Sequence, residues 1–262
     1  MKIIFLGDIV GRSGREALNK NINFIREKFQ PEIIIANAEN AASGYGLTKK
    51  IAEEFFNIGI DILTLGNHSW DQRELLSYIE ECPKIVRPIN YPDNVPGKGY
   101  FKIELPNGKT IIVIQAMLRL FMGLFLDDPF KKVKDFLLSE ALGKTCNAIF
   151  IDLHGEATSE KNAFAHYFDG NVTCILGTHT HVPTSDNRIL EKGTAYQTDV
   201  GMTGDYNSVI GMDKTNPIHG FTRGFRSEGR FTPATGKGTI CGTFIESDER
   251  TGLAKKIEPF QI

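Results

Sequence analysis

Five times in this chain a short apolar run rich in β-branched residues stops at a side chain able to bind a cation, and a sixth run stops at a Gly-rich turn. Ile3-Ile4-Phe5-Leu6-Gly7 ends on Asp8, and Ile33-Ile34-Ile35-Ala36-Asn37-Ala38 ends on Glu39-Asn40. Asp61-Ile62-Leu63-Thr64-Leu65-Gly66 leads into Asn67-His68, Ile149-Phe150-Ile151-Asp152-Leu153 into His154, and Ile175-Leu176-Gly177-Thr178 into His179-Thr180-His181. In the first third of the chain these runs alternate with amphipathic stretches of helical period, the mark of βαβ construction. Strands are expected over 3–6, 33–36 and 62–65, and helices over 14–29, 49–58 and 72–79.

Beyond Pro83 the pattern changes. Runs over 100–105 and 110–115 flank Asn107-Gly108, a hairpin signal that brings in antiparallel pairing. A helix is expected over 129–142, strands over 148–153 and 172–177 with a helix over 163–168 between them, and late strands over 239–246 and 254–259. No internal repeat or Pro/Ser/Gly linker divides the chain, so residues 1–262 are expected to form one domain. The simplest arrangement is an α/β fold, a four-layer α/β/β/α sandwich of two mixed sheets flanked by helices. Ligand-binding residues then belong just past the carboxyl ends of the strands.

Charge limits the partners. Thirty basic and 32 acidic residues are interspersed, for a net charge of -2, which supports neither a nucleic-acid groove nor a polybasic membrane patch. The first apolar run is cut by Asp8 too soon for a signal peptide, and no run is long enough to span a bilayer. The stretch 116–126, interrupted by Arg119 and Gly123, reads as a buried strand end followed by an apolar loop that packs into the core. The alternative sets Arg119 and 120–126 beside a ligand pocket, against a base or phosphate. Cys82, Cys146, Cys174 and Cys241 form no CxxC pair and read as reduced residues of a cytoplasmic protein.

Taken singly, Asp8 is better read as a cap or turn residue than as a ligand. Asn67 beside His68 says more, because the amide oxygen suits a metal while the imidazole reaches a substrate. Asp71 either orients His68 or caps the following helix. In His179-Thr180-His181 the i, i+2 spacing at the end of a strand aims both rings to the same side, a geometry suited to chelation. Four of six histidines fall at predicted strand ends; His166 and His219 do not. A set of carboxylate, amide and imidazole without thiolate argues against structural zinc and suits Mn, Fe, Co or Zn in a catalytic site. Asp199, in Thr198-Asp199-Val200-Gly201-Met202-Thr203-Gly204, is expected to cap backbone amides in a loop beside the site.

The order Asp, acidic residue, Gly-Asn-His, lone His, His-x-His resembles the calcineurin-like metallophosphoesterase superfamily. More narrowly, Gly7-Asp8-Ile9-Val10-Gly11-Arg12, Asn37-Ala38-Glu39-Asn40, Gly66-Asn67-His68-Ser69-Trp70-Asp71, the run from His154 to Lys161, and that from Gly177 to Thr184 resemble the bacterial YmdB-type phosphodiesterases. Two departures from the wider superfamily are shared with that subfamily. Asp-x-His is here Asp8-Ile9-Val10, and the usual bridging Asp is Glu39, with Asn40 filling the vacancy. The resemblance implies one metal held by Asp8, Glu39, Asn40 and His181 and a second by Glu39, Asn67, His154 and His179. It also implies Fe or Mn, divalent or mixed-valence, and hydrolysis of 2′,3′-cyclic and 3′,5′-cyclic nucleotides.

The expected chemistry is in-line attack on phosphorus by a hydroxide bridging the metals, with His68 protonating the leaving ribose oxygen. Small phosphodiesters, RNA-derived cyclic phosphates among them, are the expected partners, without a membrane, and a homo-oligomer fits the subfamily. The rival readings are a phosphomonoesterase acting on nucleotides and a regulatory protein whose metal site binds a ligand or partner.

Overall fold

The structure is a computed structural model and describes residues 1–225 and 229–262. The chain begins with β1 (Lys2–Leu6), β2 (Asp8–Ile9), α1 (Gly11–Phe29), β3 (Ile33–Asn37), α2 (Lys49–Asn57), β4 (Ile62–Thr64), α3 (Leu75–Glu81) and β5 (Ile85–Val86). The middle holds β6 (Tyr100–Glu104), β7 (Thr110–Met117), α4 (Pro129–Leu137), β8 (Ala148–His154), α5 (Thr158–Tyr167) and β9 (Cys174–Thr178). It ends with β10 (Arg188–Ile189), β11 (Ala195–Gln197), β12 (Met202–Thr203), α6 (Thr215–Arg223), β13 (Cys241–Ser247) and β14 (Ala254–Gln261).

Two six-stranded mixed sheets form, in the orders β14-β13-β1-β3-β4-β5 and β10-β11-β9-β8-β7-β6, with β12 and β2 as a separate pair. Alternation of side chains explains why the strands read as unbroken apolar runs: both faces of each sheet are covered. Ile3, Phe5, Ile33, Ile35 and Ile62 of the first sheet meet Ile111, Val113, Phe150, Cys174 and Leu176 of the second. Phe5 and Phe150 lie 4.9 Å apart between ring centroids. The opposite face of the first sheet packs Ile4, Leu6, Ile34 and Leu63 on Leu18, Ile22 and Ile25 of α1 and Phe55 of α2. That of the second packs Ile112, Ile114, Ile149 and Ile151 on Val133 and Phe164 of α4 and α5. This is the four-layer α/β/β/α sandwich expected. Among the described residues no helix is long and apolar enough to cross a membrane.

Local chemistry sets most boundaries. Buried Leu18, Ile22, Ile25 and Phe29 line one stripe of α1 at i, i+4, i+7 and i+11, and Gln30 closes it in the left-handed region. Thr48 caps α2 through Ile51 N–H, and Asp128 caps α4 before Pro129. The hairpin at Asn107-Gly108 forms as expected, with β6 and β7 antiparallel.

Several expectations are corrected. α3 starts at Leu75 rather than 72, α4 stops at Leu137 rather than 142, and α5 begins at Thr158 rather than 163. The helix α6 lies between the expected strands in a segment for which no element was expected. The apolar loop after β7 does not pack into the core: Leu120, Phe121, Leu124 and Phe125 are exposed. Leu118 is the last residue of that run to enter the core, and Gly123, at φ +67°, follows the turn beyond it. Hydrophobicity alone could not say where this run leaves the sheet.

At the carboxyl ends of the inner strands the backbones come unusually close. A Cβ on Gly7 would sit 1.8 Å from the Gly201 carbonyl oxygen, and one on Gly177 would sit 1.7 Å from that of Thr198. Gly7→Ala is therefore expected to reach the upper end of overpacking costs, about 3 kcal/mol, read as a lowered urea midpoint.

Candidate metal centre

The inner face of the sandwich is apolar along most of its length and turns polar at one level. Continuing the alternation past Ile35, Ile62, Phe150 and Leu176 brings Asn37, Thr64, Asp152 with His154, and Thr178 onto that same face. They meet there. Asp152 is fully buried and accepts Thr64 Oγ1 (2.6 Å), Asn37 Nδ2 (2.9 Å) and Thr178 Oγ1 (2.6 Å). Burial drives its pKa up to about 6 against the pull of His154 and these hydrogen bonds. Asn37, Thr64, Asp152 and Thr178 were not singled out from sequence, although inner-face parity was the signal that marks them.

This layer orients the next. The Thr178 hydroxyl proton goes to Asp152, so its oxygen accepts from His154 Nδ1–H at 2.9 Å. His154 Nε2 is thereby aimed outward, where Asn67 Oδ1 (2.8 Å), Glu39 Oε1 (3.1 Å) and His179 Nδ1 (3.2 Å) all converge on it. Each of three histidines repeats the scheme. His179 Nε2 lies 3.3 Å from Glu156 Oε2, and His181 Nδ1 donates to the Ile210 carbonyl at 2.7 Å. In every case one ring nitrogen is tied to an oxygen and the other faces the cluster, an arrangement that fixes the tautomer of a metal ligand.

Two neighbouring groups result. Glu39, Asn67, His154 and His179 form one; the facing atoms of Glu39, His154 and His179 lie within 4.8 Å of one another. Asp8, Asn40 and His181 form the other, with His181 Nε2 3.3 Å from Asn40 Oδ1 and 3.9 Å from Asp8 Oδ1. Asp8 links them, since its Oδ2 accepts His179 N–H at 3.2 Å. The pairing is not that of an extended His-x-His strand. β9 ends at Thr178, and His179 and His181 have φ of +101° and +65°, so they go to different groups. Asp199 accepts Thr180 and Gly201 N–H and pairs with buried Lys161 at 3.0 Å, pinning this turn. That is the capping role expected of it.

The electrostatics are those of a site suited to added positive charge. Burial raises Glu39, but the charge and hydrogen bond of His154 overcome it and hold Glu39 down to about 2. Burial lowers His154, yet Glu39 lifts it to about 9, while burial and this neighbouring cation press His179 down to about 3. Asp8 is raised by burial, and its Oδ1 has no hydrogen-bond partner. A single proton on His154 Nε2 cannot serve three acceptors, whereas a cation among them can. The residues present therefore fit metal ions.

His68 stands beside the groups, not within them. Its N–H donates to Glu39 Oε2 (2.8 Å) and its Nδ1 meets Asp71 Oδ2 at 2.7 Å, so Asp71 orients the ring and does not cap α3. Glu39, Asn40, His68, His179 and His181 line one cavity with Tyr45. Arg119 and 120–126 are not among its described lining residues.

A family model described as YmdB-like protein matches residues 4–260. Over 258 residues, 98% of this chain and 96% of the relative, the sequence is 47% identical to a Bacillus subtilis (strain 168) protein named 2′,3′-cyclic-nucleotide 2′-phosphodiesterase. A Thermus thermophilus structure described as a hypothetical protein superimposes with a TM-score of 0.92 at 39% identity, covering 100% of this chain and 99% of its own. A Mycoplasma pneumoniae structure described as a novel phosphatase gives 0.92 at 36% identity, covering 100% and 93%. The chain belongs to the YmdB-like protein family.

Proposed function

We propose that this chain is a dimetal phosphodiesterase that opens 2′,3′-cyclic nucleotides, with 3′,5′-cyclic nucleotides as a second substrate class. The observation that carries it is the convergence of three acceptor atoms on His154 Nε2 beside a second group of Asp8, Asn40 and His181. The named activity of the Bacillus subtilis relative supports the substrate. In this reading Asp8, Glu39, Asn40 and His181 would hold one metal, and Glu39, Asn67, His154 and His179 would hold the other. Fe or Mn, divalent or mixed-valence, suits nitrogen and oxygen donors without thiolate. When bound, such a pair supplies Lewis acidity to phosphate oxygens and a water made nucleophilic at neutral pH.

The protein's own contribution is positioning and proton transfer. Asp71 holds His68 by Nδ1, leaving Nε2 to pass a proton to the ribose oxygen that leaves phosphorus. Asp152, through Thr178, keeps His154 Nε2 aimed at the cluster. The same reading takes residues 1–262 as one domain, acting in the cytoplasm as a homo-oligomer on small phosphodiesters, RNA-derived cyclic phosphates among them. Four free thiols, three of them buried, suit that reducing setting. A phosphomonoesterase is the second reading, favoured by the description of the Mycoplasma pneumoniae structure. Turnover on bis-p-nitrophenyl phosphate should exceed that on p-nitrophenyl phosphate; the reverse order would select the second reading.

His68→Ala is expected to lower turnover of 2′,3′-cyclic AMP by about 10²–10⁴ with metal content at the wild-type level by elemental analysis. Metal loss in that variant would make His68 a ligand and defeat the assignment. His154→Ala, by contrast, should lose metal and activity together. Because the pKa of His154 is raised to about 9 without metal, the ring is protonated at pH 7.5 and metal must expel that proton. Calorimetry in buffers of differing ionisation enthalpy should register release of about one proton per protein from this ring. Metal affinity should rise with pH and level off above about 9.

A further inference from the structure

Next to the metal cavity lies a second one, of about 370 Å³, within the range of small-molecule pockets. Ile210, Met212 and Phe231 line both, so the two cavities are adjacent and share a wall. The far wall comes from α6 and its exit, with Pro217, Phe221 and Phe225. Among the described residues, every side chain lining this second cavity is apolar.

The shared wall is tied to the metal centre by a costly contact. Ile210 has φ +47°, a left-handed conformation that a β-branched residue adopts only under constraint, and its carbonyl accepts His181 Nδ1–H at 2.7 Å. One residue thus orients a proposed metal ligand with its backbone and lines both cavities. Phe221 and Phe225 are 87% and 62% exposed, leaving ring surface uncovered at the mouth. This wall borders the cavity lined by Glu39, His68, His179 and His181.

We propose that the α6 cavity is the nucleobase subsite, where the base of a cyclic nucleotide stacks on Phe221 and Phe225 while its phosphate lies at the metal centre. The inference rests on the phosphodiesterase reading and deepens it. With no polar side chain among the described lining residues, the base is held by its face. Its occupant is the substrate and not a second copy of the chain.

The test compares metal-loaded wild type with the double variant Phe221→Ser/Phe225→Ser on two substrates, 2′,3′-cyclic AMP and ribose 2,3-cyclic phosphate, which lacks the base. Both phenylalanines are exposed, so serine leaves the core intact. The variant should raise KM for 2′,3′-cyclic AMP by about tenfold and leave KM and kcat for the base-free substrate unchanged. Equal shifts on the two substrates, or none on either, overturn the subsite; so does a variant altered only in oligomeric state, which would assign the patch to self-association. If the wild type opens neither substrate, the phosphodiesterase reading fails by itself. Saturation-transfer NMR with adenosine then judges the cavity independently: signals on the base protons with wild type that vanish with the variant support it, and their absence with wild type overturns it.

Discussion

Glu39 and His154 meet at 3.1 Å with both side chains withdrawn from water, one from the sheet of β1 and β3 and the other from that of β8 and β9. A buried carboxylate is tolerable only with a partner, and here the partner arrives from the opposing sheet. Register in both sheets must therefore be exact at this level. A slip of one residue in β8 would turn His154 and Asp152 toward α5 and leave Glu39 without its counter-charge. The apolar packing between the sheets, Phe5 on Phe150 among it, holds the two ends at the distance this contact requires.

Around that contact the molecule concentrates polar groups that most cores exclude. Asp152, Thr64, Asn37 and Thr178 form one connected network, and Lys161 with Asp199 forms another under the turn of His179 and His181. Such networks define one geometry when each member is satisfied and are costly when one is not. At the candidate site itself Asp8 Oδ1 lacks a hydrogen-bond partner, and His154 Nε2 has more acceptors than protons. Strain gathers there too, in the left-handed His179, His181 and Ile210.

Much of the fold was legible because both sheet faces are covered. Unbroken apolar runs mark β1, β3, β8 and β9, and the Asn107-Gly108 turn marks the β6–β7 hairpin. What failed had weaker local signals. The pairs β2–β12 and β10–β11 involve strands of two or three residues whose pairing is set by neighbours, not by pattern. The α6 helix contains Pro217 and Gly220 and carries no side-chain cap, so propensity argues against it. The loop 120–126 is apolar yet outside the core, since hydrophobicity reports a wish for burial and not the space to satisfy it.

By itself the sequence determined the strand-end residues Asp8, Glu39, Asn40, Asn67, His68, His154, His179 and His181 as the candidate set, because their residue types and places after apolar runs are local properties. Tertiary structure decided how they divide. The left-handed turn sends His179 toward His154 and His181 toward Asn40, which the i, i+2 spacing did not show. It also decided which other residues serve them. Asp152 and Thr178 aim His154, and Asp71 aims His68, through contacts that join distant strands or hang on loop geometry. Distance across the sandwich is a product of packing, and no single segment encodes it.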